Sequence, residues 1–545
     1  MQLKTSDNLS TTVEHARGGE VSTQRVVPAL TIVSHPQPGR VGERVLLEAL
    51  VAGRVATLSR NDPDFSPPGG GLAQSLGDPF LSRTPIQLEP GPRGSLRLRV
   101  PENGTQVRVA EEPVVGGREL SLQELTAGVP LVLAERVVLL LHLAHTPEAT
   151  VAEDLGMVGR GDGIHRVRED ITRVADLNVP VLIRGETGTG KELVARAIHD
   201  RGPRRAGPFV SVNLGALARE LVAAELFGAQ RGAFTGATRD REGFFRAAHG
   251  GTLFLDEVGE APPEVQAALL RVLETGEVYP VGGHSPVVVD VRLVAATDSN
   301  LEARIQEKLF KAPLLHRLAG FEIQVPPLRE RREDIGPLFL HFARQELEAI
   351  GESERMTSSD PRAEPWLPAS LAVRLVRYAW PGNVRQLRNV ARQLVIGSRG
   401  LPRLRVDARL EQELGSAALS APGRALSTYA PQLPVPGPED TPVPEEAVPT
   451  RRKPADVSEQ ELLEALRASA WDLQATAGRL GISRASVYLL IDKSSLLRAA
   501  GDLSPEEITR CFHECGGDLD QMVQKLEVSR RALQRRVREL GLGSA

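Results

Sequence analysis

A single lysine, Lys191, follows a glycine-rich run, Gly185-Glu186-Thr187-Gly188-Thr189-Gly190, and is itself followed by Glu192. Glycine at three of these six positions lets a backbone curl until its N–H groups converge on an anion, and the lysine adds a full positive charge. That pairing suits phosphate oxygens. The spacing matches a phosphate-binding loop except at Glu192, where a hydroxyl residue is usual. Downstream, Asp256 and Glu257 form an adjacent pair of carboxylates after an apolar stretch. Next to a bound nucleotide, the first would organise hydrated Mg2+ and the second would polarise an attacking water. Either feature alone has a bland explanation, a glycine-rich turn or a solvated acidic turn. In this order and at this separation they point to hydrolysis of a phosphoanhydride.

Such groups work only when strand ends hold them. Residues 181–183 and 252–255 are short apolar runs suited to buried strands, and 291–296 is a third, ending in Thr297 and Asp298. A helix starting near Glu192 would turn its positive end toward the loop. Strands alternating with helical segments predict a parallel α/β sheet with its ligands at the C-terminal strand ends.

Between the two groups lies RGAFTGA, residues 231–237, which alone reads as a surface loop. Its neighbours change that reading. GETGTGKE, ELFG (225–228), GAFTGA (232–237), GGTLFLDE (250–257), PPLRERREDI (326–335) and WPGNVRQLRN (380–389) occur in this order. Together they make residues 155–400 resemble the AAA+ ATPase module of bacterial enhancer-binding proteins, activators of sigma-54 RNA polymerase. The resemblance implies an α/β ATPase core at 155–328 and a helical lid at 329–400, with ATP and Mg2+ as cofactors. It casts Gly185, Glu186, Thr187, Gly188, Thr189, Gly190, Lys191 and Glu192 as the nucleotide-binding loop and Asp256 as the metal ligand. Glu257 becomes the catalytic carboxylate and Asn213 the residue restraining it. Arg385 matches the sensor arginine of the lid. Arg317 matches an arginine finger that reaches a neighbouring subunit, which implies a homo-oligomeric ring, usually a hexamer. Gly232, Ala233, Phe234, Thr235, Gly236 and Ala237 form the loop that touches sigma-54, with Phe234 and Thr235 making the contact. Two positions depart from the family. Lys311 stands where a second arginine is general, losing the planar fork that grips phosphate, and Asp298 stands where asparagine is usual.

The 545 residues, 41% of them hydrophobic, leave room for three or four domains. The longest apolar run, 129–144, is interrupted by Glu135 and Arg136 and reads as core strands rather than a membrane span. No signal-peptide pattern opens the chain, and the only cysteines, Cys511 and Cys515, are too few for a zinc site. These features predict a cytoplasmic protein without a membrane partner. A net charge of −4 gives no global attraction to nucleic acid, so any such binding must be local.

The C-terminus supplies a local candidate. After a Pro-rich linker, 401–454, a pattern repeats at an offset of 46 residues: Asp472-Leu473 through Arg484 recurs as Asp518-Leu519 through Arg530. The two copies, 455–500 and 501–545, resemble the Fis-type helix-turn-helix, with Ser483 and Ser529 as caps of the last helices. The second is strongly basic, and Arg530, Arg531, Gln534, Arg535 and Arg538 are its candidate contacts to double-stranded DNA upstream of promoters. The first either assists or serves as a packing or dimerising unit.

The N-terminal region, 26–144, alternates short strand-like runs with Gly/Pro turns, which predicts an all-β sandwich. Leu58-Ser59-Arg60, Leu81-Ser82-Arg83 and Asn103-Gly104-Thr105 resemble the forkhead-associated (FHA) domain, a phosphothreonine reader. That resemblance casts Arg60, Ser82, Arg83 and Asn103 as phosphopeptide contacts, although Pro85 stands where a histidine is usual. A purely structural β-domain is the alternative. For the whole chain, the sequence reads as an ATP-dependent sigma-54 activator. A DNA-bound regulator with an inactive ATPase and an AAA+ unfoldase are the competing readings.

Overall fold

The computed structural model describes residues 25–146, 154–233, 239–357, 360–416, 457–469, 473–480, 503–515 and 519–526. It also describes single positions at 487, 490, 533, 536, 537 and 540. The chain forms two compact units, Met1–Ala425 and Leu426–Ala545.

The first unit begins with two antiparallel sheets. In spatial order the six-stranded sheet runs Arg44–Leu46, Val26–Ser34, Val137–His145, Val129–Leu133, Val107–Val109 and Glu112–Pro113. The four-stranded sheet runs Ala56–Leu58, Ile86–Pro90, Leu96–Arg99 and Gly117–Leu120. Buried residues from both sheets share one core, as a sandwich requires. Glu135 and Arg136, which interrupt the long apolar run, lie in the hairpin between its two strands, where Ala134 and Glu135 adopt positive φ.

Burial separates the two sheets. Leu96–Arg99 alternates buried and exposed, the mark of a sheet with one wet face. Val26–Ser34 is buried along nearly its whole length, because the lid covers its outer face. Val33, Ile335, Phe339, Leu371 and Trp366 belong to the same hydrophobic core. Ser34 Oγ donates to the carbonyl of Leu367 at 2.7 Å, and Arg136 donates to the carbonyls of Pro361 and Ala363. At the entry to the ATPase core, Asp162 Oδ2 accepts from both the backbone N–H and Nδ1 of His145, and Arg44 donates to the carbonyl of Arg160. The sandwich is therefore built onto the lid rather than hung from it.

The ATPase core holds a five-stranded parallel sheet. Its order is Phe209–Asn213, Thr252–Asp256, Arg292–Thr297, Val181–Arg184 and Phe321–Gln324. Leu182, Ile183, Leu253, Leu255, Val294 and Ala295 are fully buried, as expected of a sheet covered by helices on both faces. The three predicted strands all form, and they lie side by side.

The lid comprises Ile335–Ala349, Ala369–Arg377, Asn383–Gly397 and a fourth helix, Ala408–Ser416. Leu410 and Leu414 of that last helix are buried in the lid core. The lid thus continues past residue 400, which corrects the predicted linker start at 401.

In the second unit, Glu459–Ala468 and Leu473–Leu480 recur 46 positions later as Pro505–Glu514 and Leu519–Leu526. Ser458 and Ser504 cap the first helix of each copy. Leu462 and Leu466 of one copy and Ile508 and Met522 of the other belong to one core, so the repeats pack as partners. Arg530, Arg531, Gln534, Arg535 and Arg538, with the caps Ser483 and Ser529, lie outside the described residues. Among the described residues no helix is long and apolar enough to cross a membrane.

Candidate nucleotide site

The glycine-rich loop connects the strand Val181–Arg184 to the helix Lys191–Arg201, so its residues sit at the C-terminal edge of the parallel sheet. Gly188 and Gly190 have φ of +79° and +105°, conformations that side chains other than glycine rarely adopt. Lys191 is buried, and its Nζ donates to the carbonyls of Gly185 (2.8 Å) and Glu186 (3.2 Å). Burial lowers its pKa from the ordinary lysine value, while Asp256, Asp298 and Glu257 oppose that shift. Three carboxylates and the Arg385 guanidinium therefore lie within electrostatic reach of one buried ammonium. Glu192 is exposed on the first turn of the helix.

Asp256 closes the neighbouring strand. Its Oδ1 accepts from the Glu257 N–H at 3.0 Å and its Oδ2 from Asn213 Nδ2 at 3.2 Å. Its carboxylate oxygens are hard donors of the kind Mg2+ prefers. Glu257 has a left-handed backbone (φ 56°), and its carboxylate lies so close over Gly215 that a Cβ there would sit 2.0 Å from Oε2. Asn213 thus donates to Asp256, and its Oδ1 and the Glu257 carboxylate both lie near Gly215. That Oδ1 accepts from the Ala216 N–H. Parallel pairing sets Asn213 directly beside Asp256 in the sheet register.

Asp298, the departure from the family pattern, follows the next strand over. Its Oδ2 accepts from Thr187 Oγ1 at 2.5 Å and its Oδ1 from Ser299 Oγ at 3.4 Å. The acid is therefore turned onto the loop hydroxyl. Arg385 is exposed on the lid, and its backbone N–H donates to the Gly188 carbonyl. Arg317 is not brought to this cluster; it is exposed on the helix Ala312–Leu318 and pairs with Glu274 at 3.5 Å. Lys311 caps the start of that helix, with its N–H donating to Gln266 Oε1.

The base of the 231–237 loop is pinned. Ala229 bridges to Arg241 and Val281, the Arg231 N–H donates to Asp240, and the ion pair Arg241–Glu225 links the loop to the ELFG segment. Gly232 and Ala233 are described, whereas Phe234, Thr235, Gly236 and Ala237 lie outside the described residues.

Three residues went unassigned in the sequence although they lie in quoted motifs. Arg329 donates to both oxygens of Glu186 at 2.8 and 2.6 Å. Arg331 donates to the Thr189 carbonyl at 3.2 Å. Asn383, fully buried, donates to Glu186 Oε2 and the Thr187 carbonyl and accepts from the Leu328 N–H. Their motifs, PPLRERREDI and WPGNVRQLRN, were the available signal.

At the mouth of the sandwich, the Arg60 N–H donates to the Ser82 carbonyl, and the Ser82 N–H donates to Thr105 Oγ1 at 2.8 Å. The structure thus gathers the loops bearing Arg60, Ser82 and Asn103. Arg60 and Ser82 are half-buried; Arg83 and Asn103 are exposed. Asp78, fully buried in the same loop, is paired with Arg136 at 3.1 Å.

Residues 157–324 match the family described as Sigma-54 interaction domain, and 329–418 match the AAA+ ATPase lid domain. The DNA-binding transcriptional regulator NtrC of Salmonella typhimurium is 46% identical over 244 residues, covering 45% of this chain and 50% of that protein. NtrC of Azospirillum brasilense is 45% identical over 258 residues, covering 46% and 51%. The chain spans about half the length of these relatives. Among solved structures, NtrX from Brucella abortus in complex with ADP is similar at 32% identity, covering 71% of this chain and 70% of that one, with a TM-score of 0.43. The central part of this chain thus matches a sigma-54 interaction domain followed by an AAA+ ATPase lid.

Proposed function

We propose that this chain is an ATP-hydrolysing activator of sigma-54 transcription. On this reading it binds DNA upstream of promoters, assembles as a homo-oligomeric ring and remodels the closed polymerase complex with the loop 232–237. The observation that supports it best is a buried Lys191 among Asp256, Glu257 and Asp298 at the C-terminal edge of a parallel sheet. In this reading the loop 185–190 and Lys191 grip the phosphates. Glu257 orients the attacking water and accepts its proton. Asp256 would hold Mg2+, whose bound charge offsets that developing on the transferred phosphoryl group. Arg317, exposed and held, among the described residues, only by a long pair with the exposed Glu274, would turn to a neighbouring subunit's site. Asp298, held by Thr187, is already paired, which weakens the case for an inactive ATPase.

Signal input falls to the sandwich, where Arg60, Ser82, Arg83 and Asn103 would read a phosphothreonine, charge-assisted bonds from arginine to the dianion supplying affinity. Output to DNA falls to Arg530, Arg531, Gln534, Arg535 and Arg538. The coupling has its own test. Thr235→Ala should keep most of the ATPase activity yet fail to open a sigma-54 promoter in a reconstituted transcription assay. Normal promoter opening by this variant would contradict the assignment of the loop.

A further inference from the structure

A loop that grips an anion with N–H groups must dispose of its carbonyl oxygens, because each one facing a phosphate would repel it. All five carbonyls from Gly185 to Thr189 accept from donors of this chain. Lys191 Nζ takes those of Gly185 and Glu186. The lid takes the other three: Asn383 holds Thr187, the Arg385 N–H holds Gly188, and Arg331 holds Thr189. The lid also holds the one acidic side chain of the loop. Arg329 grips both oxygens of Glu186, and this bond lowers the Glu186 pKa and raises that of Arg329. Contact is close enough that a Cβ on Gly188 would meet the Gly382 carbonyl at 2.4 Å.

From this arrangement we infer that Arg329 and Asn383 are positioning residues for nucleotide binding. They hold the back of the phosphate loop so that its carbonyls and Glu186 face the lid and its amides remain for phosphate. Neither residue needs to touch nucleotide. The inference rests on reading the loop as the nucleotide site, yet it makes a claim about the nucleotide-free protein that can be tested separately. A salt bridge of this exposure contributes modestly, but two parallel charge-assisted bonds with fixed geometry exceed a simple surface pair. Loss of Asn383 additionally leaves the buried Leu328 N–H unpaired.

The test uses the full chain with Glu186→Arg, Arg329→Glu, the double exchange, and Asn383→Asp, which keeps an acceptor for Leu328. Hydrogen–deuterium exchange of the peptide containing residues 185–190 is measured without nucleotide, and ADP affinity by calorimetry. Each single exchange and Asn383→Asp should speed loop exchange and weaken ADP by about three- to tenfold. The double exchange should recover part of both, because the pair is rebuilt with its charges reversed while the Asn383 amide still lacks its acceptor at position 186. The inference is overturned if the single variants leave loop exchange at the wild-type rate, or if the double variant is no better than the singles. If wild type binds no ADP, the nucleotide reading fails, and loop exchange alone then decides whether the lid holds the loop.

Discussion

The loop at residues 185–190 and the mouth of the N-terminal sandwich both gather residues suited to phosphate, yet the two are built differently. In the first, every carbonyl is tied, the lysine is buried, and three carboxylates lie around it. In the second, backbone bonds join Arg60 to Ser82 and Ser82 to Thr105, while Arg83 and Asn103 stand exposed. A buried charge must be compensated from several directions, which fixes geometry before any ligand arrives. An exposed arginine on a braced loop keeps its hydration and orders its side chain only on binding. The first arrangement suits chemistry and the second suits reversible reading of a signal.

The sharpest way to break this contrast is at the lysines and arginines themselves. Lys191→Ala should lower nucleotide affinity by about a hundredfold or more, since it removes the charge around which the site is built. Fluorescence titration with a labelled ADP would measure it, and an unchanged affinity would dissolve the distinction. Arg60→Ala should have a smaller effect, about ten- to a hundredfold on binding of a phosphothreonine peptide library, with the domain still folded. Equal binding of phosphorylated and unphosphorylated libraries by wild type would leave the sandwich as a structural or docking domain.

The smallest effect concerns the sandwich interior. Burial, aided by Arg40, lowers the His35 pKa to about 4, and burial, aided by Arg44, lowers that of His142 to about 3. Both imidazoles are neutral in the fold and regain an ordinary pKa near 6.5 when it opens. The stability held above pH 6.5 is therefore lost as pH falls toward 4 and then 3, with a slope of at most about 1.4 kcal/mol per pH unit for each histidine. His142→Gln should flatten this acid limb in a series of calorimetric Tm measurements. An unaltered limb would show that His142 titrates alike in both states.

The same contrast explains what the sequence disclosed. The phosphate loop is contiguous, so the spacing of Gly185, Gly190 and Lys191 carries its geometry, and the strand ends at Asp256 and Asp298 follow from apolar runs. The sandwich mouth is assembled from loops more than twenty residues apart, where spacing carries little information. Burial on both faces of Val26–Ser34 was equally hidden, because the covering helices Ile335–Ala349 and Ala369–Arg377 lie some three hundred residues downstream. Asn213 was placed at the right carboxylates, but its bond to Asp256 follows from the parallel register of the two strands, which residue type does not disclose. The roles of Arg329 and Asn383 were missed for a related reason: each acts across the lid interface on a loop far away in sequence.

The most direct test of the account is steady-state ATP hydrolysis by the full chain beside its Glu257→Gln variant, with nucleotide affinity measured on both. The arrangement of Asp256, Glu257 and Lys191 predicts retained binding and a fall in turnover of about 10²–10⁴-fold, the range of a lost general base. Equal turnover by the two proteins, or none by wild type, would contradict it.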